Sequence, residues 1–78
     1  MYYVYLIQSL KDGSFYVGMA KDVEVRLTEH NRGKSKYTKG HIPYRLLYQE
    51  GPYPGEEARK REKYLKRTEV KQRILRSL

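Results

Sequence analysis

Residues 2–8, Tyr-Tyr-Val-Tyr-Leu-Ile-Gln, are almost entirely aromatic, β-branched or apolar and predict a strand. Phe15-Tyr16-Val17-Gly18 predicts a second, shorter strand. Between them Lys11-Asp12-Gly13-Ser14 supplies a turn in which Gly13 is free to take a positive φ, so the chain opens with a hairpin. Side chains alternate faces along a strand. Val4 and Leu6 therefore fall on one face of the first strand, and Tyr3, Tyr5 and Ile7 on the other.

The period then changes from two to that of a helix. Asp22 is placed to cap a helix running to about Asn31, with Gly33 as its stop signal and Val23 and Leu27 as its apolar stripe. Arg26 and His30 lie one turn apart close to that stripe, which puts both at the edge of the buried face. From Arg32 to Pro43 the chain reads Arg-Gly-Lys-Ser-Lys-Tyr-Thr-Lys-Gly-His-Ile-Pro, a basic loop without helical period that can close over a phosphate backbone. Tyr44 to Tyr48 predicts a third strand, stopped by Gly51-Pro52 and Pro54-Gly55. Glu56 to Arg67 carries a strong helix pattern, and Thr68 can cap a last short helix bearing Val70, Ile74 and Leu75. The order is ββαβαα.

One polar residue breaks the pattern. With Ala58 at zero on a helical wheel, Glu62 falls at about 40° and Leu65 at about −20°, so the carboxylate shares the only apolar stripe of a very basic helix and points toward the sheet. The plain alternative is an exposed pair with Lys66 at i+4, which contributes only about 0.3–0.5 kcal/mol.

Composition narrows the chemistry. Seventy-eight residues allow one domain, 1–78, with one modest core. Seventeen Lys and Arg against nine Asp and Glu leave a charge of +8, which favours a polyanionic partner. The excess is densest from Arg59 to Arg76. A basic amphipathic helix can also lie on an anionic membrane, but the few apolar residues after Glu56 suffice only for a small core, so no membrane partner is expected. The absence of a spanning apolar run and of a charged n-region before Val4 predicts a soluble, cytoplasmic protein. With no cysteine, any metal is held by oxygen or histidine nitrogen, which favours a hard ion such as Mg²⁺. Most of the nine tyrosines are expected to pack a sheet with wet hydroxyls.

Tyr3-Val4-Tyr5 followed by Tyr16-Val17-Gly18, then Arg26 and His30 on one helix and Arg61-Glu62-Lys63 on a later one, resembles the GIY-YIG endonuclease superfamily, in particular its small stand-alone bacterial members. The resemblance runs from Tyr2 to about Leu75. It implies an α+β fold, a three-stranded antiparallel-type sheet flanked by helices. It also implies hydrolysis of phosphodiester bonds, DNA being the expected substrate, with Mg²⁺ or Mn²⁺ as cofactor. On matching positions Tyr5 and Tyr16 are the motif tyrosines, Gly18 the motif glycine, Arg26 the phosphate-binding arginine, His30 an auxiliary histidine and Glu62 the metal ligand.

One tyrosine acts as general base in that picture, and its phenolate has to be favoured by Arg26, by the metal or by hydrogen bonding, because free tyrosine titrates near 10. Tyr16 is the water-facing choice, since Gly18 beside it leaves room for a phosphate. Lys21, Arg32, Lys34, Lys36, Lys39 and Arg61 are the expected phosphate contacts, with Tyr37 available to stack on a base. The competing reading is a nucleic-acid-binding module of the same fold with weak or no catalysis, which the joint presence of Tyr5, Tyr16, Arg26 and Glu62 argues against.

Overall fold

The first strand, β1 (Tyr2–Ser9), becomes the middle of the sheet. In the computed structural model, which describes residues 1–78, it is followed by β2 (Phe15–Ala20), α1 (Val23–Asn31), β3 (Tyr44–Tyr53), α2 (Gly55–Leu65) and α3 (Thr68–Ser77). The sheet is antiparallel with spatial order β2-β1-β3, so the fold is α+β in the order ββαβαα.

A central strand covered on both faces reads as a continuous apolar run, and Val4, Tyr5, Leu6 and Ile7 are all buried. Their alternation builds two small cores. Val4, Leu6 and Val17 pack with Ala58 and Leu65 of α2 and Val70 of α3. Tyr5 and Ile7 pack with Val23 of α1 and with Tyr44. α1 therefore covers one face and α2 and α3 the other.

β3 is longer than the sequence suggests, passing through Gly51 and Pro52 to Tyr53. The reason is a bulge. Tyr2 pairs with Tyr53 and Val4 with Glu50, so β3 carries one more residue than β1 between the same rungs. Gly51 absorbs it at φ +126°, where a Cβ would lie 2.9 Å from the Tyr2 carbonyl oxygen. Pro52 is tolerated because β3 is an edge strand at that point.

The helix ends differ in their making. Asp22 caps α1 as expected, accepting a hydrogen bond from the Val25 amide at 3.1 Å. Thr68 is not a cap but the first residue of α3; the capping position is Arg67, with no side-chain hydrogen bond to the helix.

The strands are tied to α2 through one carboxylate. Glu50 accepts two hydrogen bonds from Arg61, at 2.6 and 3.0 Å, and one each from the hydroxyls of Tyr48 and Tyr53. These donors hold the Glu50 pKa below its ordinary value, Arg61 most of all, and the pairing pushes that of Arg61 up.

Candidate active site

The hairpin register sets the site. Tyr5 stands opposite Gly18 and Ile7 opposite Tyr16, so Tyr5, Tyr16 and Gly18 share the face that α1 covers. A Cβ on Gly18 would meet the Tyr5 hydroxyl at 2.5 Å and the Tyr16 ring at 3.0 Å. The space beside Gly18 is thus filled by tyrosine and does not await a phosphate, which corrects the reading from sequence.

α1 brings Arg26 and His30 down on the same spot. Arg26 lies at the edge of the buried face, as its place on the helix predicts, with its guanidinium 3.2 Å from Glu29. His30 is fully buried, beyond the edge position expected for it, because the segment after α1 folds back over it. Its Nε2 is 2.9 Å from the Tyr5 hydroxyl and its Nδ1 2.7 Å from the hydroxyl of Thr38. The Tyr16 ring approaches the imidazole edge-on at a centroid distance of 5.1 Å.

Burial governs the protonation of this cluster. Loss of solvent pushes the Tyr5 hydroxyl up to about 12, helped by neighbouring Tyr16 and Glu62 and opposed by Arg26. Tyr16 is raised for the same first cause, again against Arg26 and with Glu62. Both rest as phenols at neutral pH, and Arg26 alone does not favour a phenolate. His30 is lowered by burial and by Arg26, so it rests neutral. A neutral imidazole has one donor and one acceptor nitrogen. If Tyr5 donates to Nε2, Nδ1–H donates to Thr38; the reverse polarity is equally formed.

Glu62 approaches from the other helical layer. It is half-buried, its charge acts on both tyrosine hydroxyls, and it makes no ion pair or side-chain hydrogen bond, Lys66 included. It lies in a concavity of about 470 Å³ lined by Glu56, Arg59, Lys60, Lys63 and Lys66, with no apolar side chain. No group of three His, Asp or Glu side chains is arranged to cage a metal. A single unpartnered carboxylate suits an ion that keeps most of its water, as Mg²⁺ does.

The sequence profile of the GIY-YIG catalytic domain matches residues 1–74. This chain belongs to the GIY-YIG family. It is 46% identical over 76 residues to a UPF0213 protein of Staphylococcus aureus, covering 96% of this chain and 90% of that one. A UPF0213 protein of Staphylococcus saprophyticus is 47% identical over 66 residues, 83% of this chain and 79% of the relative. The solution NMR structure of a UPF0213 protein from Bacillus halodurans superposes with a TM-score of 0.58 at 37% identity, covering 96% of this chain and 83% of that one. The GIY-YIG superfamily consists of nucleases, which generally use divalent metal ions, and this is a nuclease-type fold.

In the segment between α1 and β3, Arg32, Lys34, Lys36 and Lys39 are exposed and make no ion pairs. Lys21 is exposed as well, its Nζ 5.7 Å above the Tyr2 ring. Arg61 is different: its guanidinium is held on Glu50 and stacks over Tyr64 at 4.9 Å. Two members of the cluster escaped the sequence reading. Thr38 sits inside a basic loop where no period marks a buried position, and Tyr44, with its ring 6.2 Å from His30, reads simply as the start of a strand.

Proposed function

We propose that this GIY-YIG domain is a metal-dependent endonuclease that hydrolyses phosphodiester bonds in nucleic acid, DNA being the expected substrate, in the cytoplasm. The observation that carries the reading is that the hairpin and α1 gather Tyr5, Tyr16 and His30 on one face of the sheet with Arg26 at its edge, within electrostatic reach of the unpartnered Glu62 carboxylate of α2, whose charge raises both tyrosine pKa values. A structural ion pair needs no such convergence of one cation, one free carboxylate and two phenols.

Arg26, half-exposed and held by Glu29, binds the scissile phosphate. Glu62 is the protein ligand of Mg²⁺ or Mn²⁺. An ion held there would supply positive charge to offset the negative charge developing on the reacting phosphate and would counter the Glu62 charge that raises both tyrosine pKa values. Tyr16, the more accessible phenol, takes the proton from water; Tyr5 is buried, and its hydroxyl is ordered by neutral His30, whose Nε2 can accept its hydrogen bond. Lys21, Arg32, Lys34, Lys36 and Lys39 hold flanking phosphates. Arg61 contributes its field from beside Glu62 while its donors stay on Glu50.

The deciding experiment is a cleavage assay over labelled DNA and RNA structures, with Mg²⁺ or Mn²⁺ and with chelator, for the wild type and Glu62→Gln. Cleavage by the wild type alone, and only with metal, is the expected result. Binding without cleavage in every arm identifies a binding module, and full cleavage by Glu62→Gln removes Glu62 as metal ligand.

A further inference from the structure

Eight of the nine tyrosines are buried or half-buried; Tyr37 is the exception, with 81% of its surface exposed. A lone exposed ring is ordinary on a protein surface, so exposure by itself carries nothing. Its setting does.

Thr38, next in the chain, is fully buried and hydrogen-bonded to His30. Ser35, two residues earlier, is also buried, and its carbonyl accepts from the Lys39 amide at 3.0 Å to close the turn. The exposed ring thus projects from a turn anchored on both sides of it and tied to the tyrosine–histidine cluster. The Tyr37 hydroxyl is near enough to Tyr16 to act on it electrostatically. Lys34, Lys36 and Lys39 project from the same turn, exposed and without ion pairs.

A flat aromatic face on a turn that also carries unpaired cations matches the two parts of a nucleotide, a base to stack and a phosphate to neutralise. In an intact duplex each base already lies between its neighbours, and a protein ring finds no open face except at an end or a distortion. Single strands and frayed ends present theirs. We propose that Tyr37 is a stacking platform for an unpaired nucleobase beside the phosphate bound by Arg26, so that the site selects single-stranded or frayed DNA over intact duplex. The position of that phosphate rests on the nuclease reading above; the stack itself does not.

The test measures binding in chelator, where nothing is cut, using a short labelled single strand carrying 2-aminopurine and a relaxed, covalently closed circular duplex, which has no open end. Tyr37→Ala should weaken single-strand binding about 5- to 150-fold, the range base–aromatic stacking spans, and abolish quenching of 2-aminopurine. Tyr37→Phe and Tyr37→Trp should stay within about two-fold of wild type, since every flat ring stacks. Duplex affinity should not move. Equal losses on both DNAs, or none on the single strand, overturn the proposal. Cleavage with Mg²⁺ is scored separately. Absence of cleavage with the Tyr37 effect intact ends the nuclease reading and keeps the stack; cleavage whose single-strand preference is unchanged in Tyr37→Ala ends the stack alone.

Discussion

A Cβ on Gly18 would fall 2.5 Å from the Tyr5 hydroxyl oxygen and 2.8 Å from Cζ of the same ring. The motif glycine therefore makes room for the motif tyrosine across the hairpin. Gly18→Ala should force Tyr5 off His30 and cost about 1–3 kcal/mol, the usual range for overpacking a full core. Thermal melts and cleavage rates of the variant check it, both being expected to fall. A wild-type melting temperature would show that the ring has slack the packing does not suggest.

Buried His30 makes stability depend on mild acid. Its folded pKa lies below the ordinary 6.5, so the unfolded chain binds more protons and the contribution present above pH 6.5 is lost as pH falls through the folded value. The carboxylates with perturbed values, Asp12 and Glu50, are shifted down and act at lower pH. Urea midpoints should thus drop between pH 7.5 and pH 5.5 in the wild type, and in His30→Gln that slope should vanish. A slope retained in His30→Gln would assign it elsewhere.

The hairpin, α1 and the two faces of β1 were legible in the sequence because each rests on local period or on a cap that one residue supplies. Arg26 and Glu62 could be singled out because helical geometry places a polar group near an apolar stripe without knowledge of the partner. What could not be read required contacts distant in sequence. Nothing local shows that Tyr5 fills the space over Gly18, that Thr38 closes over His30, or that Glu50 occupies Arg61. The bulge at Gly51 was missed for the same reason, since Gly-Pro ends a strand in most settings and only pairing with β1 carries it through.

Arg61 should reveal itself more in stability than in binding. Glu50 is 9% exposed and receives its two strongest donors from Arg61, itself 40% exposed and so partly screened. Arg61→Ala leaves Glu50 with the two tyrosine hydroxyls and should cost about 1.5–3 kcal/mol, the worth of hydrogen bonds to a charged group. Nucleic-acid affinity at a temperature where the variant is folded should change little. A large loss of affinity with unaltered melting would return Arg61 to the phosphate contacts.

The loop lysines should reveal themselves through salt. Binding weakens by about 0.7–0.9 log units per log unit of salt for each phosphate neutralised. Replacing Lys34, Lys36 and Lys39, all exposed and unpaired, with alanine should flatten that slope without lowering the melting temperature. An unchanged slope would mean that the loop does not touch the backbone.

Phenylalanine separates the two motif tyrosines, because it keeps the ring and removes only the hydroxyl. The Tyr5 hydroxyl is buried and bonded to His30 Nε2, so Tyr5→Phe strands a buried polar nitrogen and should cost about 1–3 kcal/mol of stability as well as activity. Tyr16 is half-exposed and its hydroxyl makes no hydrogen bond within the protein, so Tyr16→Phe should melt close to wild type. If Tyr16 is the base, its loss should nonetheless lower turnover on the order of 10²- to 10⁴-fold. The pH profile gives an independent reading. Burial holds the Tyr16 hydroxyl above its ordinary 10.0, so wild-type turnover should climb through mildly alkaline pH as the phenolate fraction grows, and the residual turnover of Tyr16→Phe should lose that climb. His30 is no ready substitute, being fully buried between Tyr5 and Thr38 with no path of its own to water. Turnover within a few-fold of wild type in Tyr16→Phe, with the climb intact, would therefore move the base to Tyr5, and the same outcome in Tyr5→Phe as well would move it outside the tyrosine–histidine cluster altogether.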